Sequence, residues 1–139
     1  HLSRVRRSTG DFQVTRSNKG VSRAPQPVYR SDMRGKRDGQ IAVIFASTRT
    51  VEDDAGYGAA AARMVELAAR QPGYCGIASA RGADGFGITV SYWADEAAAI
   101  AWRDHPEHAA IREQGRAKWY SSYSLDVAQI GRGYDWTRE

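Results

Sequence analysis

His105 and His108 stand three residues apart around Pro106, and they are the side chains best suited to move a proton near neutral pH. On a helix, positions i and i+3 share a face, so both imidazoles could approach one cation. Two histidines without a third ligand make a weak metal site, and no metal is expected. Proton transfer suits the pair better. His108 falls about a turn inside the helix that Pro106 opens, and its unperturbed pKa of about 6.5 fits a general base. His105, just ahead of the proline, is placed to cap that helix. The lone cysteine, Cys75, sits between Tyr74 and Gly76 in a strand pattern and reads as a small buried filler instead of a nucleophile. A single cysteine excludes an internal disulfide and suits a reducing cytoplasm. The run Gly82-Ala-Asp-Gly-Phe-Gly87 lies in a hairpin and does not open a helix, so it predicts neither nucleotide nor flavin binding.

These residues are positioned by a chain organised around Gly85 to Trp102. Ile88, Thr89, Val90, Tyr92 and Trp93 favour a strand, and the alanine-rich run after Asp95 favours a helix whose first turn carries Asp95 and Glu96. Upstream, Gln40 to Thr48 is apolar on both alternations and predicts a strand covered on both faces. A helix follows from Ala55 to Gln71, with Asp53 or Asp54 as N-cap, and Pro72-Gly73 stops it. Tyr74 to Arg81 predicts the second strand, the Asp84-Gly85 step a hairpin, and Phe86 to Trp93 the third strand, antiparallel to the second. Helical segments over Asp95 to Arg103 and Glu107 to Trp119 lead to a fourth strand from Tyr123 to Ile130. The order is βαββαβ: an α+β, ferredoxin-like domain with a four-stranded antiparallel sheet and its helices on one face.

Residues 1 to 38 carry ten Lys or Arg against three Asp, a net +7, whereas residues 39 to 139 carry ten against thirteen acidic residues, a net −3. The basic character therefore belongs to a tail with few large apolar residues and no sustained period. Such a segment cannot offset an ordering cost of roughly 1–2 kcal/mol per residue and reads as a disordered N-terminal extension. Met33 is the candidate start of the natural chain. The folded domain is assigned to residues 39–139. No run approaches the ~20 apolar residues of a membrane span. Both faces of the predicted sheet are apolar: Ile41, Val43 and Phe45 alternate with Ala42 and Ile44, and Ile88, Val90 and Tyr92 with Thr89 and Trp93. Two sheets packing face to face as a twofold homodimer would cover the bare side.

The phrase Gln71-Pro-Gly-Tyr74, the strand Thr89-Val-Ser-Tyr-Trp93, Trp102, and Trp119-Tyr120, set in the βαββαβ order, resemble the antibiotic biosynthesis monooxygenase family over about residues 40 to 136. The resemblance implies a dimeric α/β barrel with a ligand cavity in each subunit between sheet and helices. It points to a cofactor-independent monooxygenase acting on a small aromatic, polyketide-like substrate. The haem-degrading branch of the family uses an asparagine in its first strand, a tryptophan in its second helix and a histidine about ten residues further on. Trp102 matches the tryptophan, but Ser47 stands in the first strand and Arg112 stands ten residues past Trp102. Haem cleavage is therefore not expected.

For the anthrone-type oxygenases of the family, the substrate must lose a proton, its carbanion or enolate must be shielded from water, and O₂ must reach it. The resemblance then assigns catalysis to His108, Trp102 and Arg112. Trp93, Tyr57, His105, Trp119, Tyr120 and Arg49 would bind the substrate as aromatic walls or polar contacts. The bland alternatives are core anchoring for Trp93 and Trp102, helix capping for His105, surface exposure for Arg49, and packing for the tyrosines. At the level of function the alternatives are a non-catalytic ligand-binding or scaffold dimer, and an RNA-recognition module. In the latter, Gly85, Phe86 and Gly87 fit the third-strand pattern, but Asp84 replaces its basic residue and Ile88 and Ser91 its later aromatics. An acidic folded part also opposes phosphate contact, so nucleic acid is not an expected partner.

Overall fold

The computed structural model describes residues 27–31 and 35–139; most of the basic extension, Met33 included, lies outside the described residues. In chain order the elements are β1 (Tyr29–Arg30), β2 (Ile41–Arg49), α1 (Asp54–Ala69), β3 (Tyr74–Arg81), β4 (Phe86–Trp93), α2 (Glu96–Arg103), α3 (Pro106–Gln114), a π-helical turn (Gly115–Trp119) and β5 (Tyr120–Gln129). The strands form one antiparallel sheet in the order β1-β3-β4-β2-β5. The expected count of four strands is corrected to five. The additional strand is two residues at the β3 edge, where Tyr29 pairs with Ser79 and Arg30 with Ala78, inside the stretch assigned to the extension.

Local chemistry explains the boundaries. Asp53 caps α1 by accepting from the Gly56 amide at 3.1 Å, and Asp95 caps α2 by accepting from Ala98 at 2.8 Å. His105 caps α3 through Nδ1, which accepts from the Glu107 amide, and Pro106 occupies the first helical position. The helix expected over Glu107 to Trp119 ends at Gln114 and continues as the π turn, so β5 begins at Tyr120 and not at Tyr123. Arg63 on α1 pairs with Glu107 on α3, tying the two helices together across the sheet face.

All three helices lie over one face. Register places Ile41, Val43, Phe45, Ser47 and Arg49 of β2 beside Trp93, Ser91, Thr89 and Gly87 of β4 on that face. At one end the core is closed by Ile41, Leu67, Ala68, Trp93, Ala99 and Trp102, with Trp93 fully buried. The opposite face presents Ile44, Ala46, Val90 and Tyr92 with Phe86 and Ile88, the last two 48% and 44% exposed. No helix among the described residues is long and apolar enough to cross a membrane.

Candidate functional site

The nine residues singled out from the sequence fall into two groups on the helix-covered face. Trp102 is the centre of the first. Its ring stacks on Trp93 at 5.9 Å and 24°, on His108 at 4.4 Å and 10°, and lies 5.8 Å from His105. Trp93 donates its indole N–H to Ser91 Oγ at 3.0 Å. His108 Nδ1 lies 2.9 Å from the Trp102 carbonyl oxygen. A carbonyl only accepts, so Nδ1 carries the proton and Nε2 presents a lone pair. Burial lowers the His108 pKa below its ordinary value, against the opposing effect of the Trp102 carbonyl, and the nearby Arg112 and His105 lower it further. Both lowering effects favour the neutral imidazole of His108, with Nε2 as its basic nitrogen. Arg112 donates to the Arg103 carbonyl at 3.1 Å, which anchors the end of α2 to α3.

The second group gathers where β2 ends. Tyr57 of α1 meets Trp119 and Tyr120 edge-on, each at 5.9 Å, and Phe45 meets Tyr120 at 5.3 Å and Tyr123 at 5.2 Å. Arg49 is buried, not at the surface: its guanidinium lies 3.9 Å from the Tyr57 ring centroid. It donates to the Trp119 carbonyl at 3.3 Å, the Glu52 carbonyl at 3.1 Å and the Asp54 carboxylate at 2.8 Å. Burial, then the neighbouring Tyr57 hydroxyl, push the Tyr120 phenol above its ordinary pKa, so it stays protonated. Between the two groups Val43, Phe45, Ser79 and Thr89 are only half-buried, and Ser79 Oγ lies 2.6 Å from Thr89 Oγ1. From Ile41 to Phe45 the strand rises roughly 13 Å, the length of a two- or three-ring aromatic.

Sequence reasoning missed Arg81. From the end of β3 it donates through Nη1 to the Ser47 carbonyl at 3.0 Å and the Gly85 carbonyl at 2.6 Å, and through Nη2 to Ser47 Oγ at 2.7 Å and the Tyr57 hydroxyl at 3.2 Å. The available signal was its phase with Ile77 and Ser79, which puts it on the covered face. Two surface grooves lie outside the stretch between the two groups, the first of them touching Trp102. One of about 280 Å³ is lined by Gln71, Pro72, Gly73, Asp95, Ala98, Ala101 and Trp102; another of about 290 Å³ runs along Gly39, Ile41, Asp95, Glu96 and Val127 to Gln129. Both are open to solvent, and their only charged side chains are the carboxylates of Asp95 and Glu96, with no imidazole or cation, so the candidate site is the half-buried stretch between the two aromatic groups.

Residues 41–114 match the sequence model of the family described as antibiotic biosynthesis monooxygenase. An uncharacterised protein of Bacillus subtilis (strain 168), YqjZ, is 48% identical over 112 residues, which covers 81% of this chain and 88% of that one. Among solved structures, SnoaB, a cofactor-independent oxygenase from Streptomyces nogalater, aligns with a TM-score of 0.57 at 19% identity over 66% of this chain and 93% of that one. Rv0793 from Mycobacterium tuberculosis aligns with a TM-score of 0.58 at 17% identity over 64% of this chain and 92% of that one. At these identities the two structures share the fold.

Proposed function

Because the chain belongs to the antibiotic biosynthesis monooxygenase family, we propose that it is a monooxygenase that oxidises a small aromatic, polyketide-like substrate with O₂ and no bound cofactor. The observation that carries this reading is the tautomer of His108: Nδ1–H is fixed on the Trp102 carbonyl and Nε2 is left as a base. The ring is held flat against Trp102, so the base is both oriented and shielded from water. His108 removes the acidic C–H proton of the substrate, and Trp102 and Trp93 form one aromatic wall. Tyr57 and Tyr120 form the other, with Phe45 between. His105 and Arg112 fix the ends of α2 and α3 around His108, while Arg49 and Trp119 position Tyr57. The substrate anion supplies the electrons to O₂. Overall, a CH₂ beside the ring becomes C=O, and the two oxygen atoms end in that carbonyl and in one water.

The protein works as a homodimer through the open sheet face. Phe86 and Ile88 are too exposed there for a soluble single subunit to leave uncovered. Light scattering at micromolar concentration tests this: a single-subunit mass for the full chain would refute it.

Oxygen uptake by the chelator-dialysed protein on a panel of anthrones and hydroquinones tests the activity, with His108→Gln and Trp102→Ala alongside. The expected loss in each variant is tenfold or more, about 1.4 kcal/mol of transition-state stabilisation. With ¹⁸O₂, one label enters the product. Uptake no faster than the spontaneous rate across the panel would shift the assignment to a ligand-binding or scaffold dimer.

A further inference from the structure

Arg81 is half-buried, and its four hydrogen bonds go to two carbonyls and two hydroxyls, all neutral acceptors. Among the described residues it forms no ion pair, and Nε–H has no partner. The contrast with Arg49 is sharp: Arg49 lies against the ring of the same tyrosine, but its charge is matched by Asp54 at 2.8 Å. The Arg81 guanidinium lies 5.6 Å from the Tyr57 ring centroid and 5.9 Å from that of Tyr120. A positive charge without a counter-ion among the described residues therefore stands beside two tyrosine rings. Partial burial without a counter-ion is unfavourable, and neutral acceptors orient a guanidinium without neutralising it.

The backbone is shaped to hold this cation. A Cβ on Gly87 would come within 2.9 Å of Arg81 Cζ and of the Ala80 carbonyl oxygen, so only glycine lets the guanidinium lie across β4 toward Ser47. The Tyr57 oxygen accepts from Arg81 and shares a hydrogen bond with the Tyr120 hydroxyl, which stays protonated and donates it, so the Tyr57 proton is left for a ligand. Two donors, Arg81 Nε–H and the Tyr57 hydroxyl, remain for a ligand.

We infer that Arg81 and Tyr57 form a receptor for an anionic oxygen on the ligand, so that the compound bound is a planar aromatic oxyanion, a phenolate or enolate or a ring carboxylate, with its charge toward β3. The inference rests on the ligand chamber proposed above but not on turnover. The anion is the conjugated form that electron transfer to O₂ requires, and its charge compensates Arg81.

Isothermal titration calorimetry on the full chain at pH 7.5 tests it with two matched pairs. 2,4-Dinitro-1-naphtholate against its methyl ether reports the phenolate, and 2-naphthoate against 2-naphthamide reports the carboxylate. The expected result is at least tenfold tighter binding of the anion in one pair or both, with the pair that discriminates identifying the source of the oxyanion. In Arg81→Met the ratio falls to twofold or less while affinity for the neutral partner is retained. Tyr57→Phe, which keeps the ring packing, lowers the ratio several-fold and covers the case in which Arg81→Met does not fold. Equal affinity for anion and neutral partner in the unmodified protein, an unchanged ratio in a folded Arg81→Met, or no binding of either anion would overturn the assignment. Since calorimetry needs no turnover, an inactive protein with an intact anion preference would refute the oxygenase reading alone.

Discussion

Arg49→Met and Asp54→Asn separate the two ways in which the second aromatic group can be held. The Arg49 side chain is 1% exposed, whereas its carboxylate partner Asp54 is 53% exposed. Asp54→Asn keeps a hydrogen-bond acceptor and removes only a half-solvated charge. With the Asp54 side open to water, the pair is screened from that side to ~0–1 kcal/mol, and a carboxylate in the first helical turn adds roughly 0.3–1 kcal/mol, so the expected loss is about 1 kcal/mol. Arg49→Met takes the donor from the Glu52 carbonyl, at roughly 1–3 kcal/mol, leaves the Trp119 carbonyl with the Thr50 amide alone, at about 1 kcal/mol for the lost hydrogen bond, and removes a cation–π contact of about 1 kcal/mol. Relief of the buried cation's desolvation and the apolar volume of methionine return part of this, leaving about 3 kcal/mol. For a domain of this size each kcal/mol moves Tm by about 4–8 °C. Urea and thermal unfolding should place Arg49→Met roughly 12–24 °C below the parent and Asp54→Asn only 4–8 °C below. A loss in Asp54→Asn as large as in Arg49→Met would refute the reasoning, because it would mean that the ion pair, and not the carbonyl cage, holds the cluster.

His108 has a folded-state pKa below its unfolded value of about 6.5, so its contribution to stability is complete above pH 6.5 and is lost as pH falls toward the folded value. NMR titration should place its midpoint below 6.5, and His108→Gln should flatten the urea-stability profile below that pH; a midpoint at or above 6.5 sinks the assignment. Tyr120, held protonated by burial and Tyr57, should not contribute to the 295 nm phenolate absorbance before alkaline unfolding. Tyr120→Phe should then leave the amplitude of that titration unchanged below pH 11, and a drop of one tyrosine would count against it. Gly115→Ala gains about 1 kcal/mol of helix propensity but sets a Cβ 2.8 Å from the Tyr120 ring, which Phe45 and Tyr57 pin in place. Overpacking of about 1–3 kcal/mol should prevail and lower Tm by several degrees; a rise would show that the ring yields freely.

The fold was legible where pattern and punctuation agree. The change of period at Trp93, the hairpin at Asp84-Gly85, the cap at Asp53 or Asp54 and the acidic helix start at Asp95-Glu96 are all local signals, and each marks its boundary to within a residue. Tyr29–Arg30 was not legible, because a two-residue edge strand in a basic stretch has no period to detect. The His108–Trp102 pair could be anticipated from residue types, though not its tautomer, which depends on a carbonyl six residues back. Arg81, and the burial of Arg49, were hidden by charge. Each is in phase with inward apolar residues of its strand, but composition reads a strand-end arginine as solvated, and only tertiary contacts reveal the carbonyl and hydroxyl acceptors that accept its burial. The π turn left no compositional trace, since it differs from a helix only by one extra residue in the ladder.

That turn bears on how the family can diversify. Tyr120 pairs with Arg49 and Ser122 with Thr48, so Ser121 is looped out where the register shifts. Trp119, the last residue of the π turn, and Tyr120, the first of β5, both meet Tyr57, because the change of element between them sets their directions. Deleting one residue between Gly115 and Ser121 would bring the strand back into uniform alternation and exchange a tyrosine wall for a serine. A change of length at this junction would thus redirect several side chains of the proposed site at once, whereas a substitution alters one.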